Sequence, residues 1–171
     1  DHLQTYGGDF DRLRQIFIEF LHHLPFYGLA VLCLDDPEVR NILDEVTRPV
    51  ITYGIESDAD IVAAGIEQSE MQTHFTVQRQ GHDRALDITL NLPGRHNVLN
   101  ARAAMAVATE LGVSDEAIRK ALAGFQGIGR RFQLAGEVKT AAGHVLMIDD
   151  YAHHPREIAP TLAAVHAGWP E

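Results

Sequence analysis

The stretch from Leu92 to Asn100, L-P-G-R-H-N-V-L-N, constrains this chain more than any other. An alternating strand leads into it and a long alanine-rich helix leads out. A strand must therefore hand over to a helix across the Pro93-Gly94 turn. Asn97 and Asn100 fall at i and i+3 of that helix, and such residues share a face. A carboxamide presents one acceptor and two donors. That suits an adenine edge, where an amino donor stands beside a ring-nitrogen acceptor. The plainer reading makes Asn97 an N-cap, a position asparagine favours, and Asn100 a surface polar residue.

The residues before this stretch read as alternating helices and strands. Asp9 caps a helix on which Phe10, Leu13, Phe17, Phe20, Leu21 and Leu24 recur at helical spacing, and Pro25 stops it. Gly28 to Leu34 is a continuous apolar run, as expected for a strand buried on both faces of a parallel sheet. Asp36 and Pro37 open a short helix, cap then N1 proline, and Pro49 to Tyr53 is β-rich. This α-β-α-β order predicts an α/β fold of doubly wound type. After Gly54 come three short strands, Asp60 to Ala64, Gln72 to Arg79 and Ala85 to Leu90, the last two alternating, which predict a small antiparallel patch.

Beyond Asn97 the helix runs to about Leu111 and ends at Gly112. A second helix opens at Ser114, with Asp115 and Glu116 in the first turn where the dipole favours acids. Gly127 to Phe132, G-I-G-R-R-F, is a glycine-hinged basic turn. Strands at Leu134–Lys139 and His144–Ile148 follow, then Asp149 and Asp150 at a strand end, where ligands gather in open α/β sheets. A last helix spans about Arg156 to Ala167.

The 24 acidic side chains outnumber the 14 Lys and Arg, for a formal charge of -10. A surface of that sign repels phosphate backbones, so neither nucleic acid nor anionic membrane is an expected partner. No apolar run is long enough to span a bilayer, and a signal peptide is not expected. The single Cys33 sits in an apolar run and predicts a buried strand residue rather than a disulfide. Cytoplasmic localisation fits these features.

Several polar clusters carry competing readings. His22-His23 closes a helix, where the dipole favours histidine, and reads as structural. His153-His154 lies beside two acids, but adjacent histidines without cysteine are not typical zinc spacing. Arg130-Arg131 is either a solvated basic patch or an anion grip, since guanidinium binds phosphate bidentately.

Taken in order, D-H-L-Q-T-Y-G-G-D-F, F-L-H-H-L-P-F-Y-G, P-G-R-H-N-V-L-N, G-I-G-R-R-F and D-D-Y-A-H-H-P-R-E resemble the Mur ligase family of bacterial peptidoglycan ligases, over essentially the whole chain. The resemblance implies a P-loop-type central domain, with its C-terminal part at residues 1–131, and the start of a Rossmann-like C-terminal domain at 132–171. It implies ATP-dependent joining of L-alanine to UDP-N-acetylmuramate through an acyl phosphate, with ATP and Mg²⁺ required. By the same resemblance His2 ligates Mg²⁺, and Asn97 and Asn100 serve the adenine. Arg131 reaches ATP phosphate when the domains close, Asp150 meets the ribose, and Tyr151 and His153 face the substrate.

Departures from the family pattern bear on these roles. No Gly-Lys pair of a Walker loop occurs, and Lys120 and Lys139 are the only lysines. The lysine that several relatives carbamylate is therefore missing, and Ala152 stands where a glycine is usual. The chain begins with Asp1 and reads as a fragment, expected to be inactive alone and to self-associate through an uncovered sheet edge. Two other functions fit the motifs. One is a recycling ligase that attaches a ready-made tripeptide to the same sugar nucleotide. The other is a non-catalytic nucleotide-binding or interaction module.

Overall fold

The computed structural model describes residues 3–141 and 143–170. His2, the metal ligand expected by resemblance, lies outside them.

After a 3-10 turn at Leu3–Tyr6, the chain runs α1 (Phe10–His22), β1 (Ala30–Cys33), α2 (Pro37–Ile42), β2 (Val50–Gly54), β3 (Ile61–Ser69), β4 (Gln72–Arg79) and β5 (Leu86–Leu90). It continues through α3 (Arg95–Glu110), α4 (Asp115–Gly124), β6 (Gln133–Thr140), β7 (Gly143–Asp149) and α5 (Pro155–Gly168). The fold is α/β, as the alternation predicts.

Local chemistry sets several boundaries. Asp9 accepts from the N–H groups of Asp11 and Arg12 at the head of α1. Asp36 does the same for Glu38 and Val39, and Ser114 for Ala117. Each satisfies donors that a helix start leaves orphaned.

The five strands β1 to β5 form one sheet in sequence order. β1, β2 and β3 are parallel, and β3, β4 and β5 antiparallel. The antiparallel patch is thus continuous with the parallel sheet: β3 begins where β2 ends, with Tyr53 opposite Ile61 and Gly54 opposite Val62. Alternation in β4 and β5 turns Phe75, Val77, Leu86, Ile88 and Leu90 inward, all nearly inaccessible. They pack with Val98, Ala101, Met105 and Ala106 of α3 and Ile118 of α4. Arg79, buried at the end of β4, donates to Thr109 Oγ1 at 3.2 Å and Asp115 Oδ2 at 2.8 Å, tying this sheet to α3 and α4.

Two expectations change at β1. Only Ala30 within the strand is buried, and Cys33 is half-buried, because β1 is the sheet edge among the described residues. On α1 the buried residues are Ile18 and Leu21, while Phe17 and Phe20 are 55% and 68% exposed. Helical spacing marks an apolar face, and its Ile18–Leu21 side packs on Ala30 and Ile42.

β6 and β7 form a separate hairpin, almost wholly exposed. The segment after it returns to the main body. Ala164 and Gly168 of α5 are buried, and a side chain at Gly168 would meet the Gln68 carboxamide at 2.7 Å and the Glu70 carbonyl at 2.9 Å. Small residues there let the helix approach closely. Phe132, held at φ 49°, is 2% exposed and stacks on Trp169 with ring centroids 6.3 Å apart.

Candidate functional site

α3 starts two residues earlier than the sequence suggests. Its N-cap is Gly94, at φ 92° with no side-chain cap bond. Glycine is required twice over there: the backbone is left-handed, and a Cβ would meet the His96 ring at 2.7 Å and Ala164 at 3.1 Å. The Gly94 N–H donates instead to Gln68 Oε1 at 2.9 Å. Asn97 therefore is not the N-cap. Its Nδ2 donates back to the Pro93 carbonyl at 2.7 Å, which closes the turn. Asn100 Nδ2 donates to Asn97 Oδ1 at 3.4 Å, so the two carboxamides do share a face. Asn97 is half-buried and Asn100 exposed. Among the described residues nothing else engages the Asn100 oxygen or its second amide hydrogen.

His96, between these groups and the C-terminal segment, is mostly buried, and its Nδ1 has no partner among the described residues. Burial pushes its pKa down, and the nearby Asp150 carboxylate pulls the other way.

The second grouping is the turn at Gly127–Phe132 and the loop after β7. Arg130 is at φ 59°, its N–H donating to Gln133 Oε1 at 2.9 Å. Its carbonyl accepts from Tyr151 N–H at 2.8 Å. The guanidinium carbons of Arg130 and Arg131 lie 4.9 and 6.0 Å from the Tyr151 ring centroid, a cation–π arrangement with both heads exposed. Asp150 accepts from Phe132 N–H and Ala152 N–H, each at 2.8 Å. It thus pins the basic turn to its own loop. Tyr151 meets His153 edge to face at 5.2 Å, and His153 Nδ1 lies 3.1 Å from the Tyr151 carbonyl and 3.5 Å from Glu157. His154 caps α5 through Arg156 N–H. Among the described residues no three His, Cys, Asp or Glu side chains gather as a metal site.

Two polar residues escaped the sequence reading. Arg102 is fully buried beneath α3. Its Nη1 donates to the Gly54 carbonyl and its Nε to Val98 O at 3.3 Å, while its guanidinium stands 6.0 Å from the Tyr53 ring centroid. Nη2 has no partner. Its position was readable: Val98, Ala101, Arg102, Met105 and Ala106 form one helical stripe, and the arginine is on it. Asp35, at the end of β1, accepts from the N–H groups of Ile55, Glu56 and Ser57 at 2.7, 3.1 and 3.1 Å. Burial works to raise its carboxyl, but these backbone donors and Arg102 outweigh it, and the pKa falls below the ordinary value.

A carboxyl lowered in the folded state stabilises the fold above the ordinary carboxylate range. That contribution disappears as the pH falls through the folded value. Asp35→Asn is therefore expected to lose roughly 2 kcal/mol at neutral pH, the scale of hydrogen bonds to a charged group. Urea denaturation from pH 7 to pH 3 should show the gap to wild type closing in acid. A gap that stays constant would contradict this role.

A helix opening on two carboxamides and a basic turn backed by an acidic loop are carried here on an α/β sheet, a fold whose ligands commonly gather at the carboxyl ends of strands. Residues 1–108 match the Mur ligase middle domain. The chain belongs to that family. UDP-N-acetylmuramate-alanine ligase MurC from Thermotoga maritima aligns over 100% of this chain and 37% of its own, with TM-score 0.80 and 28% identity. MurF from Acinetobacter baumannii aligns over 90% of this chain and 32% of its own, with TM-score 0.70 and 28% identity. Folylpolyglutamate synthetase from Lactobacillus casei covers 95% of this chain, at TM-score 0.71 and 16% identity, a likeness of fold alone. The chain spans 32% to 41% of the length of these relatives.

Proposed function

We propose that this chain, as residues 1–131 of a Mur ligase central domain and 132–171 at the start of the C-terminal domain, handles ATP in a cytoplasmic peptidoglycan ligase. The full-length protein would join L-alanine to UDP-N-acetylmuramate. The observation that carries the reading is the Asn97–Asn100 carboxamide pair at the head of α3, with Asn100 exposed and its oxygen free. Family membership supports the ligase chemistry. The alignment of the whole chain with an alanine ligase supports the choice of amino acid.

In this reading Asn100 accepts from the adenine amino group and donates to the ring nitrogen beside it, while Asn97 holds Asn100 in place. ATP supplies the phosphoryl group that activates the muramyl carboxylate. Arg131, exposed above Tyr151, holds phosphate oxygens as negative charge shifts during transfer. Asp150 keeps lone pairs beyond its two backbone bonds and can accept from a ribose hydroxyl. Tyr151 and His153 face the acceptor, and His2 serves Mg²⁺.

Asn100→Ala in the full-length protein is expected to raise KM for ATP about fivefold and leave KM for L-alanine unchanged. That is the scale of one hydrogen bond between uncharged groups. Steady-state kinetics with each substrate varied in turn checks it. An unaltered ATP dependence would return Asn100 to the surface.

A further inference from the structure

Gln68 joins three parts of the molecule that are distant in sequence. Its Oε1 accepts from Gly94 N–H at 2.9 Å, the amide at the head of α3. Its Nε2 donates to the Ala164 carbonyl of α5 at 2.7 Å and to the Glu70 carbonyl at 3.2 Å. One carboxamide thus clamps the turn that carries Asn97 to the first helix after β7. The Gly94 N-cap makes no side-chain cap bond of its own, so among the described residues Gln68 is the side chain that engages the Gly94 N–H. The fit is close, with Gly168 against the Gln68 amide and Gly94 against Ala164.

We propose that Gln68 is a positioning residue of the ligase, resting on the function proposed above. Its acceptor end orders the Pro93–Asn97 turn for the nucleotide, and its donor end sets where the C-terminal segment stands against that turn. The two ends can be separated by chemistry. Gln68→Glu keeps an acceptor for Gly94 N–H but sets a carboxylate oxygen against the Ala164 carbonyl. Gln68→Met fills similar space and keeps neither bond.

The test uses the full-length protein with two readouts, steady-state kinetics and hydrogen exchange. Gln68→Glu should lower kcat about fivefold or more with KM for ATP unchanged, and should loosen exchange in 156–169 while the Gly94 amide stays protected. Gln68→Met should lower kcat similarly, raise KM for ATP about fivefold, and expose both segments to exchange; each fold-change is the scale of one lost hydrogen bond. Equal effects of the two substitutions, or lowered melting temperature with normal kinetics and exchange in the folded fraction, would overturn the proposal while leaving the ligase reading intact. A wild-type protein that binds no Mg-ATP would overturn both.

Discussion

Replacing Arg102 by alanine will destabilise the fold by about 3–5 kcal/mol, the range for truncating a large buried side chain. The guanidinium is inaccessible to solvent and serves the Gly54 and Val98 carbonyls, so its removal takes this donor from Gly54 and opens a cavity, while Val98 keeps its helical partner. Against this stands the cost of burying the charge. Burial lowers the arginine's pKa, Asp35 is the largest influence holding it up, and Nη2 is unpartnered. The loss should win, because one carbonyl ends β2 and the other belongs to the turn of α3 below. Arg102→Lys should recover only part of it, since an ammonium lacks the planar fork. Asp35 already has three backbone donors, so the double substitution with Asp35→Asn should lose less than the sum of the singles. A coupling of about 1 kcal/mol or more in urea denaturation is expected, and strict additivity would separate the two residues.

Arg131→Ala should have the largest effect on turnover. An arginine placed on a transferring phosphoryl group contributes on the order of 10³ in rate or more. Arg131 has no ion-pair partner among the described residues to hold it in a purely structural role. The expected result in the full-length protein is a kcat lowered about 10³-fold with substrate KM values changed far less, because the contact strengthens as charge develops. Arg131→Lys should restore only part of that rate. Loss of melting temperature with normal turnover in the folded fraction would assign Arg131 to the fold instead.

The elements legible in the sequence are those decided locally. Asp36-Pro37 and Ser114 announce their helices because a cap acts within four residues, and the alternation of β4 identifies its inward face. The Asn97–Asn100 pair was legible as a shared face for the same reason. Elements decided at a distance were not. The start of α3 moved to Arg95 because the Gly94 N–H is satisfied by Gln68, on another strand. Helical spacing in α1 could not reveal that Phe17 and Phe20 remain more than half exposed. Asp150 lay in a visible acidic pair, but its bond to Phe132 N–H depends on the hairpin folding back. That hairpin brings Arg130 and Arg131 to Tyr151, a grouping no local spacing contains.

The most direct test of the account measures phosphate release by the full-length protein, supplied with Mg-ATP, UDP-N-acetylmuramate and single amino acids or the murein tripeptide. The proposed ligase should release phosphate only when both the sugar nucleotide and L-alanine are present, with the amide product formed in equal amount. Release driven by the tripeptide but not by L-alanine would contradict the substrate assignment, and no ATP consumption with either would contradict the ligase itself.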